Sequence, residues 1–388
     1  MVKFAHIADS HLGGWKQPEL QELNLESFRK ALQYCIKEKV DFVIFAGDLF
    51  DSAYPSIDIL KETFSEFKRL KEEKIPCFIV AGSHDSSVSG KTFLDVLEKA
   101  GFCTNVEKFE ERGGKIVLLP TIYGGVAFYG YPGKRSGLEV QDLKRVTLQD
   151  SPGLYKIFVL HTTTTKVKGS LPIDSIDEES LPFAHYYALG HIHVVFQYEN
   201  FVYPGPLFPN NFKEIEDLHH GGFNIVKFDR DGKFETKRIE IPLKEVTSFD
   251  IEIKNAISGT DQIIGELNKR ELEDKIILLR VHGNLEEGKH SDIKFSQIED
   301  FVKSKKAYFL LKNTHDLKIK ELDLEIDTKD SENIEDETIE HYVKENPSDF
   351  NSLIPPLMNA LSIEKQEDEK TVVFEDRLIS EVKKILNF

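Results

Sequence analysis

Carboxylates and imidazoles, which can bind metal ions or transfer protons, recur directly after predicted strands in this sequence. Asp9 and His11 are separated by one residue, so on a pleated strand both side chains would point to the same side. His191 and His193 have the same spacing and would also share one face. The other candidates of this kind also follow predicted strands: Asp48, Ser83, His84 and His161.

Taken singly, these residues have ordinary structural explanations. An aspartate after a glycine, such as Asp48, commonly forms a turn, and one histidine at a strand end is commonly a core or loop residue. Five motifs follow one another along the chain: D-x-H, G-D-x-x-D, G-x-H-D, a histidine at a strand end, and G-H-x-H. Together they favour a dinuclear metal site. Carboxylates mixed with imidazoles suit Mn, Fe or Zn better than Ca or Mg. Six candidate ligands are too many for one tetrahedral ion. They match two ions about 3.5–4 Å apart that share a bridging carboxylate.

The first hundred residues alternate between apolar strands and helices with apolar residues at helical spacing. This alternation predicts a parallel sheet with crossover helices, and in such sheets ligands bind beyond the carboxyl ends of the strands. Strands are predicted at residues 3–8, 42–46 and 75–81, and helices at 19–38, 56–72 and 92–100.

From about residue 114 the sequence changes to short strands separated by turns. A second sheet packed on the first, with helices outside both, is the architecture that this α/β pattern favours. The strands of this part are predicted at residues 115–119, 125–131, 155–160, 185–190, 194–201, 222–228 and 234–241.

A new pattern of strands and helices over residues 243–320 predicts a small α+β domain. Its strands are expected near 249–253, 275–281 and 307–311, and its helices near 260–270 and 294–304. Residues 321–340 contain ten Asp or Glu against one Lys, which is typical of a solvated linker. An amphipathic helix is predicted at 371–387, with an apolar stripe of Phe374, Leu378, Val382 and Ile385.

Composition limits the classes of function. The net charge of −17 argues against non-specific nucleic-acid binding, although two divalent ions would dominate the local field at a phosphate-binding site. The three cysteines have no C-x-x-C spacing, so a disulfide framework is not expected. No apolar run approaches the roughly 18–20 residues of a membrane span, and no signal peptide is seen. These features favour a reducing, cytoplasmic setting.

The sequence resembles the calcineurin-like metallophosphoesterases, and within them the double-strand-break-repair nucleases of the meiotic recombination eleven or SbcD type. The resemblance covers about residues 1–240, and it covers residues 243–320 only by position. It rests on the motifs Ile7-Ala8-Asp9-Ser10-His11-Leu12-Gly13, Gly47-Asp48-Leu49-Phe50-Asp51, Gly82-Ser83-His84-Asp85, Tyr187-Ala188-Leu189-Gly190-His191-Ile192-His193 and Tyr203-Pro204-Gly205.

The resemblance implies an assignment of the site residues to two Mn²⁺ ions. Asp9, His11 and His193 would hold one ion. His161 and His191 would hold the other, and Asp48 would bridge the two. His84 would not be a ligand but would face the scissile phosphate and assist the leaving oxygen.

The same resemblance implies a division of labour along the chain. Residues 1–242 would form an αββα nuclease domain, 243–320 a DNA-capping domain, 321–340 a linker and 341–388 a helical arm. The arm would bind the coiled coil of an SMC-like ABC ATPase, although its last helix could instead fold back on its own domain. Helices near 56–72 and 92–100 would form a homodimer, and the substrate would be DNA ends and single strands.

One position departs from the family pattern. Ser83 stands where an asparagine usually donates an amide oxygen to the second metal, and the shorter hydroxyl predicts weaker occupancy of that site. Two other functions therefore stay open beside a DNA exo- and endonuclease. One is an enzyme for a small phosphodiester, and the other is a DNA-end-binding scaffold with an impaired metal site.

Overall fold

The computed structural model describes residues 2–87, 92–229, 231–319, 343, 348, 351–363 and 371–386. The chain divides into two compact units, the first ending at Ile319 and the second beginning at Lys320. The strands are β1 Val2–Ile7, β2 Phe42–Ala46, β3 Cys77–Val80, β4 Thr104–Asn105, β5 Phe109–Arg112, β6 Lys115–Leu118, β7 Thr121–Tyr123, β8 Val126–Tyr131, β9 Val146–Leu148, β10 Tyr155–His161, β11 Tyr186–Gly190, β12 Val195–Tyr198, β13 Phe201–Pro204, β14 Gly221–Phe228, β15 Phe234–Ile241, β16 Val246–Glu252, β17 Ile276–Leu285, β18 Phe309–Asn313 and β19 Leu317–Ile319.

The α-helices begin where the sequence supplies suitable first residues. Pro18 occupies the first turn of α1, where its missing N–H costs no hydrogen bond, and Ser56 caps α2 by accepting from the N–H of Ile59. The helices are α1 Pro18–Glu38, α2 Ile57–Glu72, α3 Phe93–Lys99, α4 Glu139–Leu143, α5 Thr165–Lys168, α6 Phe212–Leu218, α7 Ala256–Leu267, α8 Phe295–Ser304, α9 Ile354–Leu361 and α10 Thr371–Leu386.

Two six-stranded sheets form the core of the first unit. The first has the strand order β15-β14-β1-β2-β3-β4, and the second has the order β12-β13-β11-β10-β8-β7. Strands β1 to β4 are parallel, as are β8, β10, β11 and β13. The carboxyl ends of the parallel strands in each sheet therefore lie along one edge of that sheet.

Aromatic side chains fill the space between the two sheets. Phe42 of β2 and Phe78 of β3 pack against Phe128 of β8, with ring centroids 5.0 and 3.9 Å apart. Phe4 of β1 meets Tyr186 of β11 at 5.3 Å. These buried rings hold the sheets face to face.

Helices cover the outer faces of both sheets. Phe28 of α1, Phe67 of α2 and Leu94 of α3 belong to one buried cluster with Phe45 of β2. Val140 of α4 is buried against the outer face of the second sheet. The predicted αββα sandwich is therefore confirmed.

Strands β16 to β19 form a third sheet, in which β17 pairs in parallel with β16, β18 and β19. Helices α7 and α8 cover it through a separate core that includes Ile263, Leu279 and Ile298. This sheet belongs to the same compact unit as the first two. The domain boundary between residues 242 and 243 stays a prediction.

One strand prediction was wrong. The segment 194–201 is not a single strand but contains β12 and the start of β13, which form an antiparallel hairpin with Tyr198 paired to Phe201. Glu199 adopts a φ of 50° in the two-residue turn between them, a conformation that tight hairpin turns require. The polar pair Glu199 and Asn200 marks this turn in the sequence.

The second unit is described in part. The helix predicted at 371–387 is α10, and the four residues of its apolar stripe are half-buried. Helix α9 precedes it and was not predicted. The acidic segment 321–340 lies outside the described residues. Within the described part of the chain, no helix is both long and apolar enough to span a membrane.

Candidate metal centre

All of the predicted site residues lie at the carboxyl ends of parallel strands in the two sheets. Asp9, Asp48 and Ser83 follow β1, β2 and β3 of the first sheet. His161 is the last residue of β10 and His191 follows β11, both in the second sheet. The sandwich therefore brings loops from both sheets to one place, as expected for ligand sites of α/β folds.

Asp9 and His11 were predicted to share one face of a pleated strand, and this prediction was wrong. Strand β1 ends at Ile7, so neither residue lies on a pleated strand, and their φ angles are 49° and 41°. Asp48 and His191 also have positive φ angles, 49° and 97°. Left-handed backbone costs of order 1–3 kcal/mol for such residues and is concentrated at functional sites. The strained loops, not the strand pleat, aim these side chains.

The shared strand face predicted for His191 and His193 was also wrong, because β11 ends at Gly190 and the two histidines belong to different groups of candidate ligands. Among the residues that the structure describes, three groups of side chains have ligand atoms within 4.8 Å of one another. They are Asp9, His11 and His193; Asp48, His161 and His191; and His11, Asp48 and His84. The first two groups are the sets that the family resemblance assigns to the two metals.

Asp48 lies between the two groups. Its Oδ2 is 3.0 Å from Nε2 of His161 and 3.5 Å from Nε2 of His11. Its Oδ1 accepts a hydrogen bond of 2.8 Å from the backbone N–H of His84. One carboxylate thus faces imidazoles of both groups, which is the position required of a bridging ligand.

In the protein without bound metal, the electrostatics of the centre favour an ion pair between the carboxylate of Asp48 and the imidazolium of His161. Burial alone would raise the pKa of Asp48, but the positive charge of His161 outweighs burial and holds this pKa well below its usual range. Burial would lower the pKa of His161, but Asp48 raises it to about 10. Burial and the nearby His161 lower the pKa of His191 to about 4. The carboxylate of Asp48 therefore carries negative charge throughout the neutral pH range.

The residues present fit divalent metal ions. Asp9 is fully buried, and within the described part of the chain its Oδ2 has no hydrogen-bond partner. A buried carboxylate oxygen without a partner is costly unless a cation compensates it. His161 Nδ1 lies 3.0 Å from the Ala46 carbonyl oxygen. The proton on Nδ1 is held there, so a metal ion would displace only the proton on Nε2.

Two glycines are needed for the close approach of the loops. A Cβ at Gly47, whose φ is +85°, would lie 2.2 Å from Nδ1 of His161. A Cβ at Gly82 would lie 2.1 Å from Oδ1 of Asp48. Larger residues at these positions would displace the candidate ligands.

Ser83 and His84 lie at the edge of the centre. Ser83 Oγ is 3.5 Å from Asp48 Oδ2. His84 has 48% of its side chain exposed, and its Nδ1 lies 2.8 Å from the carbonyl oxygen of Asp51. With Nδ1 donating to this oxygen, His84 presents Nε2 for contact with a substrate.

Three carboxylates that support the site were not predicted. Asp51 Oδ1 is 3.0 Å from His11 Nδ1, and Glu214 Oε1 is 2.9 Å from His193 Nδ1. Asp85 is buried and accepts from the backbone N–H groups of three residues: Leu49, Phe50 and Gly82. Burial and the nearby Asp48 raise the pKa of Asp85 to about 6. Asp51 and Asp85 lie within the quoted motifs, whereas Glu214 does not.

Glu107 supports the end of β3, because its Oε1 accepts from the N–H of Ala81. Burial raises its pKa from about 4.5 to about 7. The folded protein therefore binds this proton more tightly than the unfolded chain, so the free energy of unfolding falls as pH rises through this interval. Glu107→Gln keeps the acceptor and removes the charge. The Tm of the variant minus that of the wild type is expected to rise by about 3–6 °C between pH 4.5 and 8.

Thermal unfolding followed by circular dichroism over this pH range measures the effect of Glu107→Gln. Glu111→Gln, an exposed glutamate on β5, serves as the matched control. A difference in Tm that does not change with pH contradicts the prediction.

The fold and the paired ligand groups define a class of metal-dependent phosphoesterases. Residues 2–195 match the calcineurin-like phosphoesterase family, and the chain belongs to this family. The predicted class of metal-dependent enzyme acting on phosphate esters is therefore confirmed at the level of the family.

Within this family, the chain is similar in sequence to several Mre11 proteins and to one uncharacterized metallophosphoesterase. The chain is 29% identical to the DNA double-strand break repair protein Mre11 of Methanosarcina acetivorans, over 82% of this chain and 51% of that protein. It is 25% identical to the Mre11 protein of Archaeoglobus fulgidus, over 88% of this chain and 85% of that one. It is also 28% identical to the uncharacterized metallophosphoesterase YhaO of Bacillus subtilis, over 66% and 64%.

The chain spans about half the length of the first two Mre11 relatives, 51% and 50%. Its similarity to Mre11 proteins nevertheless extends over most of its own length, beyond the family domain and into the third sheet. The narrower resemblance seen in the motifs is thus supported by similarity over 82% and 88% of this chain.

Proposed function

We propose that this protein is a nuclease that hydrolyses phosphodiester bonds of DNA during the processing of double-strand breaks. The observation that carries the proposal is the position of Asp48, which faces His161 of one ligand group and His11 of the other. A carboxylate shared in this way is typical of two-metal sites that cleave phosphate esters. The names of the Mre11 relatives support DNA as the substrate.

Each ligand group would hold one ion. Asp9, His11 and His193 would bind the first, and His161 and His191 would bind the second, with Asp48 between them. When bound, the two ions would supply positive charge for the attacking and leaving oxygens of the phosphodiester. Mn²⁺ is the proposed ion because the family resemblance implies it, and the mixed carboxylate and imidazole donors are compatible with it as they are with other divalent transition metals.

The substrate would enter a cavity of about 620 Å³ beside the metal centre. The residues that line it include two from the metal centre, Ser83 and His84, and two basic residues, Lys134 and Arg135. Lys134 Nζ pairs with Asp142 at 2.5 Å. The exposed guanidinium of Arg135 has no ion-pair or hydrogen-bond partner in the described part of the chain, so it is available to a phosphate.

In this arrangement His84 acts on the substrate directly. Its Nδ1 is held by the carbonyl oxygen of Asp51, and its Nε2 would stabilise charge at the scissile phosphate and assist the leaving oxygen. Asp51 and Glu214 would orient His11 and His193 through their Nδ1 atoms.

The partners belong to the same proposal. Exposed apolar residues on α2 and α3, Ile57 at 76% and Val96 at 46%, support a homodimer through these helices. Leu361 and Ile379 in the second unit are 58% and 48% exposed, which supports an arm that binds the coiled coil of an SMC-like ATPase. A cytoplasmic, nucleoid-associated location follows from this role.

The proposal is tested by incubating the purified protein with Mn²⁺ and linear duplex DNA, in parallel with a small phosphodiester such as bis(p-nitrophenyl) phosphate. Metal-dependent degradation of the DNA is the expected result. Hydrolysis of the small compound alone would favour an enzyme for small substrates. DNA binding without any hydrolysis would favour a scaffold.

Ser83→Asn is expected to raise the affinity for the second metal ion and the hydrolysis rate, each by roughly tenfold. An asparagine amide oxygen reaches farther than the Ser83 hydroxyl, which contacts Asp48 at 3.5 Å. Isothermal titration with Mn²⁺ and DNA cleavage measure the two effects. Ser52→Asn changes a neighbouring residue of the same cavity and is the control. Unchanged affinity and rate in Ser83→Asn would contradict the prediction.

A further inference from the structure

Helix α6 lies between the metal centre and the third sheet, and it contacts both. We infer that α6 is a mechanical link through which the third sheet sets the position of His193, with Glu214 as the positioning residue. The inference rests on the proposed role of His193 as a metal ligand.

Toward the metal centre, α6 acts through the carboxylate of Glu214, which has three hydrogen-bond donors. Glu214 Oε1 is 2.9 Å from Nδ1 of His193 and also accepts from the side-chain amide of Asn211 at 2.5 Å. Glu214 Oε2 accepts from the N–H of Asn210 at 2.8 Å. These three donors fix the carboxylate relative to the start of α6. The hydrogen bond to Nδ1 then determines where Nε2 of His193 points.

The same segment reaches the second histidine of the group. The side-chain amide of Asn210 lies 3.5 Å from Oδ1 of Asp51, and this oxygen is 3.0 Å from Nδ1 of His11. Asn210 and Glu214 thus connect one short stretch of chain to both His11 and His193. Any shift of this stretch would act on two of the three ligands of the first metal.

The other side of the link is an attachment to β17 of the third sheet. Arg280 pairs with Glu216 of α6 at 2.8 Å. The guanidinium of Arg280 also lies 5.1 Å from the ring centroid of Phe212, within range of a cation–π contact. Arg280 therefore holds α6 at two points one helical turn apart.

Apolar packing reinforces this attachment. Ile215 of α6 is buried in a cluster with Ile276 and Leu278 of β17. Trp15, which lies in the loop between β1 and α1, belongs to the same cluster. The indole N–H of Trp15 donates to the carbonyl oxygen of Pro209, just before α6, at 2.9 Å. Packing of this kind transmits displacements because the interior is close-packed.

The two attachments occupy opposite faces of the helix. Successive residues of an α-helix are rotated by about 100°, so Phe212 and Glu216 lie on one face and Glu214 lies on the other. The third sheet holds the first face, and His193 is held by the second. A displacement of β17 would therefore move Glu214 as well, so a ligand pressing on the third sheet would alter metal affinity at the first site.

The test measures Mn²⁺ affinity by isothermal titration on the full chain, with Co²⁺ absorption as a spectroscopic readout of ligand geometry. Glu214→Ala is expected to weaken one of the two binding events by about 10- to 100-fold. Glu214→Gln, which keeps an acceptor for Nδ1, should restore most of the affinity. Arg280→Met should weaken the same event by about 3- to 10-fold and change the Co²⁺ spectrum, although Arg280 is not a ligand.

Lys275→Met is the matched control for Arg280→Met. Lys275 adjoins β17 and has a similar exposure, 25% against 23%, but it pairs with Glu245 and not with α6. This control should leave both binding events unchanged. In the double variant Glu214→Ala/Arg280→Met, the affinity should equal that of Glu214→Ala alone, because both residues act through one path.

Three results would overturn the inference: unchanged affinity in Glu214→Ala, equal losses in Arg280→Met and Lys275→Met, or additive losses in the double variant. Circular dichroism verifies that each variant is folded. Since the readout is metal affinity, a wild type that binds two ions as expected but cleaves no DNA would overturn the proposed function and leave this inference supported. A wild type that binds no Mn²⁺ would overturn both.

Discussion

Asp48→Ala is expected to reduce metal-dependent hydrolysis of DNA by about 10³-fold or more. The carboxylate of Asp48 faces both His161 and His11, with Oδ2 3.0 Å from one imidazole and 3.5 Å from the other. Its removal leaves two sets of histidines without the charge that would hold two cations close together. The number of Mn²⁺ ions bound per chain, measured by isothermal titration, should fall below two in the same variant.

Asp58→Ala is the control for this experiment. Asp58 is an aspartate at the start of α2 with 92% of its side chain exposed, so its loss should change neither metal stoichiometry nor rate. Cleavage of linear DNA by Asp48→Ala within tenfold of the wild-type rate would contradict a shared-carboxylate site. Retention of two ions with the wild-type affinity would do so as well.

His84→Ala is expected to keep both metal ions and to lose about 10²- to 10⁴-fold in hydrolysis of DNA. The His84 ring lies beside the ligand groups, but its Nδ1 is engaged by Asp51 and its side chain is half exposed to the cavity. A group that assists the leaving oxygen matters less when that oxygen leaves easily. The loss should therefore be smaller for bis(p-nitrophenyl) phosphate than for DNA.

His219→Ala, an exposed histidine after α6 that lies in none of the ligand groups, is the comparison for His84→Ala. An equal loss on both substrates would argue against leaving-group assistance by His84. A lower affinity for Mn²⁺ in His84→Ala would show instead that this histidine is a ligand.

The sequence allowed the candidate ligands to be located because each follows a strand that can be recognised by its apolar residues. Asp48 after β2 and His161 at the end of β10 need no further information than this. The geometry at Asp9 could not be predicted in the same way. The chain leaves β1 at Ile7, one residue earlier than the predicted strand end, and Asp9 then adopts a left-handed φ of 49° that no apolar pattern indicates.

The supporting residues were harder to predict for a physical reason. Glu214 acts on His193 from a helix of seven residues that follows an irregular segment, so no hydrophobic periodicity marks its position. Its role depends on the packing of Ile215 against the third sheet, which is a long-range contact. The αββα layers, in contrast, follow from the local alternation of strands and helices together with the handedness of parallel connections. The strand order was not predicted, because pairings such as that of β1 with β14 join distant parts of the chain.

The buried carboxylate of Asp85 has a consequence for how quickly the centre can take up metal. It accepts N–H groups from Leu49, Phe50 and Gly82, so the loop after β2 and the loop after β3 share one anchor. Asp48 and His84 are therefore preorganised before any ion arrives, and little rearrangement should limit the rate of uptake. Slow amide hydrogen exchange at Leu49 and Phe50 in chelator-treated protein would be the signature of this built-in rigidity.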